Sequence, residues 1–93
     1  MFENLSDPLL VARNIKLYTG TGNPELARKV ADILHLELQG LLLEKFANGE
    51  IYARFDESVR GDEVFFIQSL AGVNVNDLVM ETLIVADAAK RAS

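Results

Sequence analysis

The 93-residue sequence predicts one small α/β domain with its elements in the order β-α-β-β-β-α. The prediction rests on short apolar runs typical of strands, longer runs with helical periodicity, and turns rich in glycine or asparagine between them. Hydrophobic residues make up 49% of the chain and charged residues 25%, a balance that supplies a core and argues against intrinsic disorder.

The composition excludes several kinds of site. The chain has no cysteine and one histidine, His35, so it forms no disulfide and no thiolate or multi-histidine metal site. Its net charge of −5 disfavours nonspecific binding to nucleic acid or to an anionic membrane. No apolar run approaches the roughly 20 residues that a membrane span requires. We therefore expect a soluble cytoplasmic protein without nucleic-acid or membrane partners.

The domain is expected to begin after a short extension. Residues 1–13 contain Pro8 and show no sustained period, which predicts a flexible N-terminal extension. The α/β domain is expected over residues 14–93, beginning with an alternating strand at 15–18.

The first helix has clear start signals. Asn23 is a favoured N-cap residue and Pro24 suits the first helical position, so the helix is expected from Pro24 to about His35. Its apolar face is expected to consist of Leu26, Val30, Ile33 and Leu34.

Three more strands and a helix are expected. A buried strand at 41–43 and an alternating strand at 51–55 flank Asn48-Gly49, which predicts a hairpin-like pair. The run at 64–67 is apolar on both faces, as in a central strand covered by helices. The last helix is expected to start at Asn74 or Asn76 and to be covered on both sides. Its apolar positions are Leu78, Val79, Leu83, Val85, Ala86 and Ala89.

The last helix also indicates how much of an α/β fold the sequence contains. A β-α-β series normally continues into a parallel strand, and none follows before Ser93. The expectation is the front portion of a longer α/β protein.

The loop Thr19-Gly20-Thr21-Gly22 lies between a strand and a helix, where free helix N–H groups attract anions. It has no Walker lysine and is not a GxGxxG motif, so a tight structural connection is the favoured interpretation. His35 lies at the expected end of the first helix. A hydrogen bond or charge interaction at the helix terminus accounts for it, and no catalytic role is predicted.

Phe46, Asn48 and Glu50 occupy alternate positions around Asn48-Gly49, so an extended segment would present all three on one side. An aromatic face with a polar pair could bind adenine. Spacing alone favours the alternative, in which Asn48-Gly49 turns a hairpin, Phe46 packs in the core and Glu50 is solvated.

Ser58 and Arg60 form a second candidate pair, because a hydroxyl and a guanidinium two residues apart can bind phosphate oxygens. Spacing again favours a surface turn whose arginine pairs with a neighbouring carboxylate. The nearby acidic residues lack the order of a calcium loop and are expected to be solvated. They are Asp56, Glu57, Asp62 and Glu63.

Taken in order, several segments resemble the N-terminal region of ribose-phosphate pyrophosphokinase (phosphoribosyl pyrophosphate synthetase). Residues 45–50 are similar to the family's Lys-Phe-Ser-Asn/Asp-Gly/Gln-Glu segment, and residues 57–61 to its Glu-Ser-Val/Ile-Arg-Gly segment. The other similar segments are 14–20, Gln68-Ser69, Met80-Glu81 and 87–93.

The resemblance implies a three-layer, mostly parallel sheet of the phosphoribosyltransferase-like type, with only its N-terminal portion present. It implies a ribose-phosphate diphosphokinase, which converts ATP and ribose 5-phosphate to phosphoribosyl pyrophosphate and AMP. Mg²⁺ would accompany ATP, with its ligands outside this chain. The resemblance also implies a homo-oligomer, a hexamer of dimers.

The resemblance assigns roles to individual residues. Phe46, Asn48 and Glu50 would contact the adenine end of ATP bound mainly by a neighbouring subunit. Ser58, Arg60 and Ser93 would belong to an allosteric phosphate-binding site. No catalytic residue and no metal ligand is expected within the chain, so these 93 residues alone are expected to be inactive.

The sequence departs from the family pattern at two places. Ala47 replaces the usual serine, and the loop after Gln68-Ser69 is slightly longer. Two other functions therefore stay open: a non-catalytic regulatory homologue of the synthetase, and an unrelated α/β interaction module.

Overall fold

A computed structural model describes residues 14–72 and 74–93, so the extension expected at 1–13 lies outside the described residues. The elements follow in the predicted order. They are β1 (Ile15–Thr19), α1 (Pro24–Leu34), β2 (Leu41–Lys45), β3 (Ile51–Phe55), β4 (Glu63–Ile67) and α2 (Val75–Arg91).

The strands form two pairs of different type. β1 and β4 are parallel, and Leu17 lies opposite Phe65. β2 and β3 are antiparallel, which confirms the predicted hairpin. A backbone bond from Gln39 N–H to the Leu17 carbonyl (2.8 Å) links β1 to the segment that leads into β2, whereas the bond from Asp56 N–H to the Gly40 carbonyl (3.3 Å) extends the β2–β3 pair. The α/β fold is confirmed, with one parallel pair and one antiparallel pair in the described part of the chain.

Helix α1 begins as predicted but buries a different face. The Asn23 side chain accepts a hydrogen bond from Leu26 N–H at 3.1 Å, which confirms the N-cap. The expected apolar face is wrong for Leu26 and Ile33, which are 43% and 58% exposed, whereas Val30 and Leu34 are half-buried. Ala27 and Ala31 are buried instead. Methyl side chains allow this helix to pack closely against its neighbours, so size outweighed hydrophobicity in selecting the face.

The apolar strand β4 and helix α2 are each less covered than expected. Phe65 is 49% exposed, so β4 is not covered on both faces by the described residues. Helix α2 buries one face and leaves Leu83 59% exposed, so the expected packing on both sides is also wrong. The buried face consists of Leu78, Glu81, Val85 and Ala88. In the described part of the chain, no helix is long and apolar enough to cross a membrane.

The core lies where β1, the β2–β3 hairpin and α2 meet. The rings of Tyr18 and Phe55 pack edge to face, with centroids 4.7 Å apart and an interplanar angle of 78°. The other buried members of this cluster are Ala53, Val59, Val85 and Ala88. Ala53 and Phe55 lie toward the end of β3 that is farthest from the turn, so this core end of the hairpin is packed on α2, whereas residues 44–50 at the turn end are exposed.

Candidate functional site

The β2–β3 turn is closed by three hydrogen bonds. Phe46 N–H donates to the Glu50 carbonyl at 2.8 Å, and Gly49 N–H donates to the Phe46 carbonyl at 2.9 Å. Glu50 N–H donates to Asn48 Oδ1 at 3.0 Å. Gly49 has φ +89°, a conformation that favours glycine. The Asn48-Gly49 signal therefore produced the turn that it predicts.

The structure brings Phe46, Asn48 and Glu50 together in this turn, and all three are exposed. Phe46 is 48% exposed, so the alternative that it packs in the core is wrong. Asn48 uses its carbonyl oxygen within the turn, which leaves its amide N–H groups as outward donors. The Glu50 carboxylate has no hydrogen-bond partner among the described residues. The turn thus presents an aromatic face, a donor and an acceptor on the surface of the domain.

Ser58 and Arg60 lie beside the end of helix α2. Ser58 Oγ donates to the Ala92 carbonyl at 3.0 Å and accepts a bond from Arg60 N–H at 3.2 Å. Val59 N–H donates to the same Ala92 carbonyl at 3.1 Å. Since Ser93 follows Ala92, these bonds bring the 58–60 segment to the helix end that carries Ser93.

The charges at this helix end bear on anion binding. No carboxylate of the described residues forms an ion pair with the exposed Arg60 guanidinium, so the expected surface ion pair is absent there. Ser93 Oγ donates to the Lys90 carbonyl at 2.8 Å. A helix C-terminus carries partial negative charge, so an anion at this end would depend on the cationic side chains of Arg60 and Lys90.

The loop between β1 and α1 is held by side-chain acceptors from distant parts of the chain. Glu81 is 5% exposed, and its carboxylate accepts bonds from Thr21 N–H at 3.0 Å and Thr21 Oγ1 at 2.7 Å. Gly22 N–H donates to Gln68 Oε1 at 2.9 Å. The Thr21 and Gly22 N–H groups are thus bonded within the domain, as the favoured structural connection requires.

Sequence reasoning assigned no role to Glu81 or to Tyr18. A signal existed for Glu81, because it lies three residues after Leu78 and four before Val85, on the buried face of α2.

Burial raises the pKa of the Tyr18 phenol above its ordinary value of 10.0, and three nearby carboxylates raise it further. They belong to Asp62, Glu57 and Asp56.

A cleft of about 300 Å³ separates the turn end of the hairpin from helix α2. Lys45 Nζ on the hairpin and Asp77 Oδ2 on the helix are 2.5 Å apart. The loop between β1 and α1, which contains Thr21, also lines this cleft. The other lining residues are Gly22, Leu43, Glu44, Ile51, Ala71, Asn74, Leu78 and Glu81.

The acidic residues do not form a metal site. In the described ranges, no three histidine, cysteine, aspartate or glutamate side chains are grouped so that they could hold a metal ion. Lys16 Nζ lies 3.9 Å from Asp62 Oδ2, which partly compensates that carboxylate. The described residues therefore do not fit a Mg²⁺ site.

The chain is similar to a family of known enzymes. Residues 15–93 match the N-terminal domain of ribose phosphate pyrophosphokinase. The chain is 49% identical over 79 residues to ribose-phosphate pyrophosphokinase of Maricaulis maris, an alignment covering 85% of this chain and 25% of that protein. The corresponding protein of Clostridium acetobutylicum is 46% identical over 81 residues, covering 87% of this chain and 25% of the relative.

The fold is also similar to a solved structure. The phosphoribosylpyrophosphate synthetase from Mycobacterium smegmatis superposes with a TM-score of 0.81 at 46% identity. The match covers 86% of this chain and 26% of that one. The chain thus spans about a quarter of the length of the relatives that it matches.

Proposed function

Since the chain belongs to the family of the N-terminal domain of ribose phosphate pyrophosphokinase, we propose that it acts as this domain in a ribose-phosphate diphosphokinase. The reaction transfers a diphosphoryl group from ATP to ribose 5-phosphate and gives phosphoribosyl pyrophosphate and AMP. In this proposal the chain contributes the contact to adenine. The transfer itself, with Mg²⁺ accompanying ATP, depends on groups outside these 93 residues.

The observation that carries the proposal is the exposed aromatic face in a closed turn. A hairpin turn needs Asn48 and Gly49 but does not need an exposed phenylalanine, and Phe46 is 48% exposed. Three hydrogen bonds fix its backbone, so little further ordering is needed when a base stacks on the ring. The Asn48 amide can donate to a ring nitrogen, and the Glu50 carboxylate can accept from an exocyclic amine.

The second part of the proposal is an effector site for a phosphate group at Ser58, Arg60 and Ser93. It is supported by the bonds that bring the 58–60 segment to the end of α2. It is also supported by the Arg60 guanidinium, which has no ion-pair partner in the described residues and whose donors match phosphate oxygens.

The working form in this proposal is a homo-oligomer. The turn that carries Phe46 lies at the end of the hairpin away from the core formed by Ala53 and Phe55. A ligand at that end would therefore be bound mainly by another subunit, and a hexamer of dimers would provide it. Because ATP and a sugar phosphate are intracellular metabolites, the proposed location is the cytoplasm.

A chimeric enzyme tests the adenine contact. Residues 15–93 replace the matching quarter of the Maricaulis maris relative, and the Phe46→Ala variant of this chimera is compared with the parent chimera. Loss of one aromatic–base stack is worth about 1–3 kcal/mol, which predicts that KM for ATP rises roughly fivefold to 150-fold. KM for ribose 5-phosphate is expected to stay within about twofold, since Phe46 would contact only the adenine end.

Tyr52→Ala is the matched control, because Tyr52 is an aromatic residue of the same hairpin and is 43% exposed. It is expected to leave KM for ATP unchanged. Equal rises in the two Michaelis constants for Phe46→Ala would refute the adenine contact. An inactive parent chimera that still assembles would favour the non-catalytic regulatory homologue.

A further inference from the structure

The two ends of the β2–β3 hairpin are held in different ways. At the core end, Ala53 and Phe55 are buried in a cluster with Val85 and Ala88 of helix α2. At the turn end, the cleft of about 300 Å³ lies between the hairpin and the same helix. A two-stranded hairpin is marginally stable by itself, so the position of its turn depends on what joins it to the rest of the domain.

One ion pair crosses this cleft. Lys45 Nζ and Asp77 Oδ2 are 2.5 Å apart, and the two side chains are 55% and 50% exposed. Lys45 is the last residue of β2 and precedes Phe46 directly. The other ion pairs among the described residues, Lys16–Asp62 and Asp87–Arg91, do not involve the hairpin.

We propose that Asp77 is a positioning residue for the adenine contact, acting through its ion pair with Lys45. A small rotation at the packed end of the hairpin produces its largest displacement at the turn. A restraint at Lys45 acts next to the residue whose ring must meet the base. The inference rests on the proposed function, because it assumes that Phe46 contacts adenine.

The geometry also determines the strength of this restraint. Both charged groups are about half exposed, so water and salt screen their attraction. The expected effect of breaking the pair is therefore small and salt-dependent, unlike the loss of a ligand contact. This difference separates a positioning role from direct binding of a nucleotide phosphate by Lys45.

The kinetic test uses Asp77→Asn in the chimeric enzyme described above. KM for ATP is expected to rise about threefold, with kcat and KM for ribose 5-phosphate unchanged, as befits loss of an exposed ion pair. The rise should shrink at high salt, where the parent pair is already screened. Asp87→Asn is the matched control, since Asp87 lies on the same helix, is 59% exposed and pairs with Arg91.

A charge exchange distinguishes positioning from direct binding. Lys45→Asp alone is expected to raise KM for ATP at least as much as Asp77→Asn. Combining Lys45→Asp with Asp77→Lys exchanges the two charged side chains across the cleft. This double variant should return KM for ATP to within about twofold of the parent. If KM stays raised in the double variant, Lys45 binds the nucleotide itself and the positioning role is refuted.

A label experiment tests the restraint without any nucleotide. The chain has no cysteine, so Ala47→Cys allows one nitroxide to be placed in the turn of the 93-residue protein. Paramagnetic broadening of the amide signals of 74–78 is expected to weaken with Asp77→Asn and to persist with Asp87→Asn. Unchanged broadening with Asp77→Asn would overturn the proposed restraint. If Phe46→Ala leaves KM for ATP unchanged while the label responds, the adenine contact fails and the restraint stands.

Discussion

The bonds between Glu81 and Thr21 give a quantitative prediction for the stability of the domain. Glu81 is 5% exposed and joins helix α2 to the loop between β1 and α1, 60 residues away in sequence. We expect Glu81→Ala to remove both bonds and leave the loop held by the bond from Gly22 N–H to Gln68. Glu81→Gln should be milder, because its amide can accept from Thr21 N–H and donate to Thr21 Oγ1.

The size of the loss follows from the two bonds. A hydrogen bond to a charged group contributes about 1.5–3 kcal/mol. Thr21 itself is exposed, so water replaces part of what is lost, and the expected cost of Glu81→Ala is about 3 kcal/mol in total. Glu81→Gln keeps both pairings but loses their charge assistance, which predicts about 1 kcal/mol.

Urea denaturation of the 93-residue chain measures these losses. Glu37→Ala is the control, because Glu37 is exposed and its substitution should change the free energy of unfolding by less than about 0.5 kcal/mol. Thr21→Val should lose about 1 kcal/mol, and combining it with Glu81→Ala should cost little more than Glu81→Ala alone. Fully additive losses, or a Glu81→Ala cost no larger than that of the control, would refute the reasoning.

Two other predictions concern glycine backbones and the buried phenol. Gly22→Ala should cost about 3 kcal/mol of unfolding free energy, because its Cβ would clash with the Ser69 carbonyl oxygen. The Cβ of Gly49→Ala would meet no atom, and this substitution should cost about 1–2 kcal/mol for its φ of +89°. Denaturation midpoints in the reverse order would contradict this. Because the pKa of Tyr18 is raised above its ordinary value of 10.0 in the folded state, its contribution to stability should be constant below about pH 10 and should fall as pH rises above that value. Tyr18→Phe should flatten this alkaline fall, and an equal slope in both proteins would count against it.

Local signals explain what could be predicted from the sequence. Asn23-Pro24 and Asn48-Gly49 act on the residues beside them, so the start of α1 and the hairpin turn were predictable. The buried face of α1 was not, because the choice between Leu26 and Ala27 depends on how closely the neighbouring elements approach. Hydrophobic periodicity carries no information about that distance.

The candidate site likewise has features that local signals predict and features that only the assembled fold determines. Its turn was predictable from Asn48-Gly49, but spacing left Phe46 between the core and the surface, and only the assembled fold decides that it is exposed. The bond from Ser58 to Ala92 joins residues 34 apart in sequence, and no local pattern predicts it. The same holds for the ion pair between Lys45 and Asp77.

These contacts together imply that rigidity decreases along the hairpin toward the proposed ligand. Ala53 and Phe55 lie in the buried core, whereas in the described part of the chain the turn end is joined to α2 by a half-exposed ion pair. Regions with few buried contacts open at lower free energy than the core. A base stacking on Phe46 would therefore reduce the motion of the turn relative to α2, at a cost in conformational entropy. A stronger link at Lys45 would lower that cost, so the affinity for the base and the stability of this ion pair should change in the same direction.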